Sequence, residues 1–150
     1  MHGKVSNTLG RGALRLLFAG VDHVGFAVRN LDKAIGDYQD LLGFKVEGVH
    51  TLTERKVRVA FLSTGGNSRI ELLEPLDMES TIAKFLETRD EGIHHIAMKV
   101  KGIEKMLEEF KRRGVVLIDE KPKAGAEGSK IAFVHPKSTH GVLLELVERT

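Results

Sequence analysis

Apolar positions along this chain switch between two periods. Val21 to Val28 and Ile93 to Val100 read as strands. So do Val59 to Leu62, Ile70 to Glu74, Ile131 to Val134 and Leu144 to Glu148. Between them the spacing becomes helical. Leu31, Ala34, Ile35, Tyr38, Leu41 and Leu42 fall on one helical stripe, with Asn30 as a cap and Gly43 as a stop. Ile103, Met106, Leu107 and Phe110 make a second stripe that stops at Gly114. A short helix near Thr81 to Glu87, capped by Ser80, joins the two stretches.

The pattern is written twice. His23 aligns with His95, 72 positions later, and the same shift brings Leu31 onto Ile103 and Tyr38 onto Phe110. Val59 to Leu62 aligns with Ile131 to Val134 at that offset. Glu71 aligns with Glu145 at 74, so the last hairpin of the second half carries two extra residues. Each half reads strand, helix, strand, strand, strand. The expected fold class is therefore α+β: two tandem βαβββ units forming one curved, mixed but mostly antiparallel sheet. The expected boundaries are an N-terminal extension at 1–20, read as disordered, and one domain at 21–149. Within it the repeats cover 21–76 and 92–149, with a linker and short helix at 77–91.

The repeat selects candidate chemistry. Each half contributes a histidine on its first strand and a glutamate on its last: His23 and Glu71, then His95 and Glu145. Strand side chains alternate, so Glu71 faces away from Ile70 and Leu72, and Glu145 away from Leu144 and Leu146. The apolar neighbours belong under the helices, which leaves the four polar residues on the concave face. A lone strand histidine or glutamate is usually a solvated or hydrogen-bonded residue. Recurrence of both types at matched positions points instead to a metal site. Two imidazoles and two carboxylates suit a divalent first-row ion: cobalt, zinc, manganese, nickel or iron. His94 rivals His95, but adjacent strand residues face opposite ways and the repeat pairs His95 with His23.

Composition narrows the class. There are 150 residues, 41% hydrophobic and 29% charged, with a net charge of +2 and no cysteine. Disulfides and thiolate metal sites are excluded. Nothing suggests nucleic-acid binding or a membrane span. The first 20 residues carry Lys4, Arg11 and Arg15 and no acid, so organelle targeting stays open beside an expected cytoplasmic location.

The motifs Val21-Asp22-His23-Val24-Gly25, Gly92-Ile93-His94-His95-Ile96, His135-Pro136-Lys137-Ser138 and Gly141-Val142-Leu143-Leu144-Glu145-Leu146 resemble methylmalonyl-CoA epimerases of the vicinal oxygen chelate superfamily. Ile70-Glu71-Leu72-Leu73-Glu74-Pro75-Leu76 does too, and the likeness runs from about Val21 to Glu148. It implies epimerisation of (2R)- and (2S)-methylmalonyl-CoA by α-proton abstraction at a metal held by His23, Glu71, His95 and Glu145. It also implies that Glu145 is one proton-transfer group. Some bacterial members place a second glutamate where this chain has Val59, so the second group is open. Lys130 and Lys137, with Ser138 beside them, are candidates for binding the acyl-CoA substrate. A homodimer is expected by analogy. The rival readings are a glyoxalase-like lyase on the same fold and a metal-free small-molecule binding protein.

Overall fold

A computed structural model describes residues 9–150. Its four helices are α1 (Arg11–Arg15), α2 (Leu31–Leu42), α3 (Thr81–Arg89) and α4 (Ile103–Arg112). Its eight strands are β1 (Phe18–Ala27), β2 (Lys45–Leu52), β3 (Val57–Ser63), β4 (Arg69–Pro75), β5 (Gly92–Val100), β6 (Lys123–Ala124), β7 (Lys130–Val134) and β8 (Leu144–Glu148). The fold is α+β, with each helix pattern of the sequence realised between strands. The described chain forms two compact units, one of residues 21–97 and one of residues 98–150 together with residues 9–20.

In the unit of residues 21–97 the strand order is β2-β3-β4-β1-β5. β1 and β4 run parallel, while β2, β3 and β4 form an antiparallel meander. Asn30 accepts a hydrogen bond from the Lys33 amide at 3.0 Å, and Gly43 closes α2 at φ 69°, as its composition requires. Leu31, Ala34, Ile35 and Tyr38 pack on Ala60, Leu62, Ile70 and Leu72. The helical stripe ends there. Leu41 and Leu42 are 80% and 57% exposed, because Phe44 and Val46 of the following chain complete that core instead. The opposite face of the same sheet is thereby left for polar chemistry.

In the other unit the order is β8-β7-β6, and α4 covers the sheet with Ile103, Met106, Leu107 and Phe110. The hairpin registers fulfil the repeat: Phe61 lies opposite Glu71, and Phe133 opposite Glu145. A second glutamate in each last strand has a matching task. Glu74 accepts from the Leu31 amide at 2.7 Å, and Glu148 accepts from the Gly102 and Ile103 amides. Each carboxylate thus satisfies donors that the first turn of a helix leaves open.

The disordered N-terminal extension needs correction. Residues 1–8 lie outside the described residues, but Arg11–Arg15 is helical and Phe18 opens β1. Leu14, Leu17 and Phe18 cover the α4 core, and the Lys101 amide donates to the Leu17 carbonyl at 2.8 Å. The helix is short and basic, so its apolar residues escape a periodicity reading that needs several turns.

Candidate metal centre

The site is built first by β1 and β4. Their parallel register sets Gly25 beside Glu71 and His23 beside Arg69, so His23 and Glu71 emerge on one face. β5 brings His95 to them. His23, Glu71 and His95 are 2%, 4% and 1% exposed. His23 Nε2 lies 3.1 Å from His95 Nε2 and 3.7 Å from Glu71 Oε1, and His95 Nε2 lies 3.4 Å from the same oxygen.

The neighbours decide what those atoms are. His23 Nδ1 donates to Asp22 Oδ2 at 2.7 Å, which leaves a lone pair on His23 Nε2. The Nδ1 atoms of His94 and His95 are 2.9 Å apart, and when His95 carries the proton there its Nε2 is the lone-pair nitrogen. In that tautomer two imidazole lone pairs and a carboxylate oxygen converge. Such an arrangement calls for a cation. Donors about 2.1 Å from one ion lie roughly 3.0–3.5 Å apart at octahedral or tetrahedral angles, a range that takes in the 3.1 and 3.4 Å separations, with 3.7 Å just above it. His23, Glu71 and His95 can therefore hold a metal ion.

Gly25 explains how the rings fit. A Cβ there would stand 2.2 Å from His95 Cε1 and 2.6 Å from its Nε2, so any side chain would collide with the ligand. Phe61 supplies an apolar wall, with its ring edge-on to His23 at 5.7 Å between centroids. The Arg69 guanidinium lies over the Phe61 ring at 4.1 Å and 3.5 Å from Glu47, adding positive charge to the same face.

The other expected residues are placed as follows. His94 lies beside the cluster rather than in it, with its ring edge-on to Phe85 at 5.0 Å. Glu145 is 3% exposed on β8, in the unit of residues 98–150. Lys130 pairs with Glu104 at 3.0 Å, and the two hold each other's charge: the Glu104 carboxyl is lowered and the Lys130 ammonium raised by that hydrogen bond first of all. The Lys137 amide donates to His135 Nδ1 at 3.0 Å, and the Ser138 hydroxyl accepts from the Val116 amide at 2.9 Å. Sequence reasoning missed Asp22, Gly25 and Arg69. A signal existed for the first two: an acid adjoining the strand histidine, and a glycine two residues after it on the same strand face.

This fold and donor set define a protein of the glyoxalase/bleomycin resistance protein/dioxygenase superfamily, whose family model matches residues 22–133. Human mitochondrial methylmalonyl-CoA epimerase is 39% identical over 127 residues, 84% of this chain and 72% of that protein. The crystal structure of methylmalonyl-CoA epimerase from Mycobacterium tuberculosis is 41% identical with a TM-score of 0.86, covering 89% of this chain and 90% of that one. A variant of the Streptomyces coelicolor enzyme, in complex with 2-nitronate-propionyl-CoA, is 36% identical with a TM-score of 0.84, covering 89% and 99%. The chain belongs to the methylmalonyl-CoA epimerase family.

Proposed function

We propose that this protein is an isomerase that interconverts (2R)- and (2S)-methylmalonyl-CoA. The observation that carries the reading is the convergence of three buried donors, His23, Glu71 and His95, in a chain whose family relatives are named for this reaction. A solved relative bound to methylmalonyl-CoA itself supports an acyl-CoA thioester as substrate.

His23, Glu71 and His95 would hold the ion, with Glu145 as the fourth ligand that the repeat suggests. Cobalt, zinc, manganese, nickel and iron all suit these donors. A bound divalent ion supplies Lewis-acid stabilisation of negative charge on the thioester oxygen. The chain does the rest. Asp22 keeps the His23 ring in one tautomer and orientation. Phe61 and the glycine at 25 shape a face that excludes water from the reacting carbon. Glu145 moves a proton at that carbon. Lys130, Lys137 and Ser138 serve the phosphates of the CoA portion, and the protein works as a cytoplasmic homodimer.

The test is α-proton exchange. The metal-loaded protein is incubated with methylmalonyl-CoA in D₂O, and deuterium entry is followed by mass spectrometry against chelated and enzyme-free controls. Metal-dependent exchange well above both controls is expected, and Glu145→Gln should lower turnover by roughly 100-fold or more with the fold intact. Absence of exchange with metal bound would sink the reading and favour a glyoxalase-like lyase. Absence of both exchange and metal affinity would favour a binding protein.

A further inference from the structure

Inversion at a carbon needs a proton removed from one face and another delivered to the other. The epimerase reading, on which this inference rests, names one such group, Glu145. On β3 the face shared with Glu71 carries Val57, Val59 and Phe61, all buried and none able to move a proton. Val59, where the resemblance expects a second glutamate, is 0% exposed.

The next strand supplies a base. His50 on β2 lies opposite Val59, and Phe61 on β3 lies opposite Glu71. Directly paired residues project to the same side of a sheet, so His50, Val59, Phe61 and Glu71 share one face. That placement depends on a β-bulge. Val46 pairs with Leu62 and packs beneath α2, yet Gly48 pairs with Phe61. Without the extra residue, 46, 48 and 50 would all point into the apolar core. The bulge turns Gly48 and His50 over to the face of the metal donors. Gly48 then makes room, since a Cβ there would stand 2.9 Å from His50 Nε2.

The His50 ring is 6.1 Å from the Phe61 ring, which is 5.7 Å from the His23 ring, measured between centroids. Phe61 is therefore a shared neighbour of His50 and the donor His23. His50 Nε2 is buried, and among the described residues it is the one buried side-chain nitrogen or oxygen without a hydrogen-bond partner. A buried imidazole nitrogen left unmatched by the fold costs stability unless something else engages it.

We propose that His50 is the second proton-transfer group, acting through Nε2 on the α-carbon of the acyl-CoA thioester. In one direction neutral His50 takes the α-proton, the electron pair of the C–H bond passes to the thioester carbonyl, and the other proton-transfer group of the epimerase reading returns a proton to the α-carbon. In the other direction that group takes the proton and the His50 imidazolium returns one. One proton leaves and one arrives in each turnover, with no redox change.

The experiment compares wild type with H50Q and H50E, starting separately from the (2R) and (2S) thioesters in D₂O. Inversion, deuterium entry and bound metal are read in parallel. Wild type should invert both isomers. H50Q should keep its metal and lose inversion by roughly 100-fold or more, yet still exchange the α-proton of one isomer. H50E, which again offers a proton-transfer group, should recover much of the inversion. Inversion by H50Q at the wild-type rate would overturn the assignment. So would equal loss of exchange from both isomers in metal-loaded H50Q, or a metal-loaded H50E as inactive as H50Q. If H50Q loses metal or fold, the H50E result decides alone. A wild-type protein that exchanges neither isomer with metal bound defeats the epimerase reading itself, a result distinct from any of these.

Discussion

The two repeats began as the same pattern and diverged in one strand. In the first, β2 runs for 8 residues from Lys45 to Leu52 and carries a bulge. In the second, the matching strand shrinks to Lys123–Ala124, and an isolated bridge from Leu117 to Val134 stands where longer pairing would be. The helices diverge in the opposite sense. α2 fully buries only Leu31, whereas α4 buries Ile103, Met106, Leu107, Phe110 and a glutamate, Glu109. The first repeat has invested its sheet in a polar face, and the second has invested its helix in the core. Duplication sets where the histidines and glutamates stand; divergence between the copies sets what surrounds them.

That contrast can be broken at its centre. His95→Ala removes a donor that sits 3.1 Å from its counterpart in the repeat. It should abolish stoichiometric metal binding and lower turnover by roughly 1,000-fold or more, the upper range for removing an essential group. Elemental analysis after dialysis checks this. Metal retained in His95→Ala and lost in His94→Ala would reverse the assignment between the two histidines.

A milder change sharpens the comparison. Asp22→Asn keeps the shape beside His23 but loses the carboxylate charge on Nδ1. Metal affinity should fall about 10- to 100-fold, as it does when outer-shell partners of a ligating histidine are removed. A metal titration against a competing chelator measures it. An unchanged affinity would mean that Asp22 does no more than pack.

The smallest expected effect lies in the other repeat. Burial pushes the Glu109 carboxyl up, but hydrogen bonds from Arg112, Arg113 and the Leu9 amide outweigh it and hold the group below its ordinary 4.5. A carboxyl lowered by folding contributes stability above its unfolded value, and that contribution is lost as pH falls through the folded one. Thermal melting of wild type should therefore drop more steeply below about pH 4.5 than that of Glu109→Gln, while metal binding at neutral pH stays the same in both. Parallel curves would show that the Glu109 network does not set acid sensitivity.

Much of this was legible beforehand because the repeat supplies its own control. That Phe61–Glu71 and Phe133–Glu145 are equivalent pairs agrees with the two offsets. The grouping of His23 and His95 with Glu71 agrees with the repeat as well. What escaped was whatever one copy has and the other lacks. Glu47 is an extra residue in β2 that no periodicity announces, and it alone reverses the face on which His50 stands. Leu41 and Leu42 satisfy the helical period, yet packing stops one turn earlier. Asp22 sits next to His23 in sequence, and alternation would send it to the other face, but its carboxylate still reaches back to Nδ1.

The tie between Leu9 and Glu109 has a consequence for the order in which the chain is made. The Leu9 amide donates to Glu109 at 2.9 Å, and Leu14, Leu17 and Phe18 rest on residues of α4. These contacts join segments about 100 positions apart. On a ribosome adding about 5–20 residues per second, the N-terminal segment waits some 5–20 s for its docking surface to be synthesised. The unit of residues 21–97 carries its own hydrophobic cluster and is translated in full during that interval. Residues 9–18 therefore settle only after α4 has been made, and their docking is a report that the second repeat has folded.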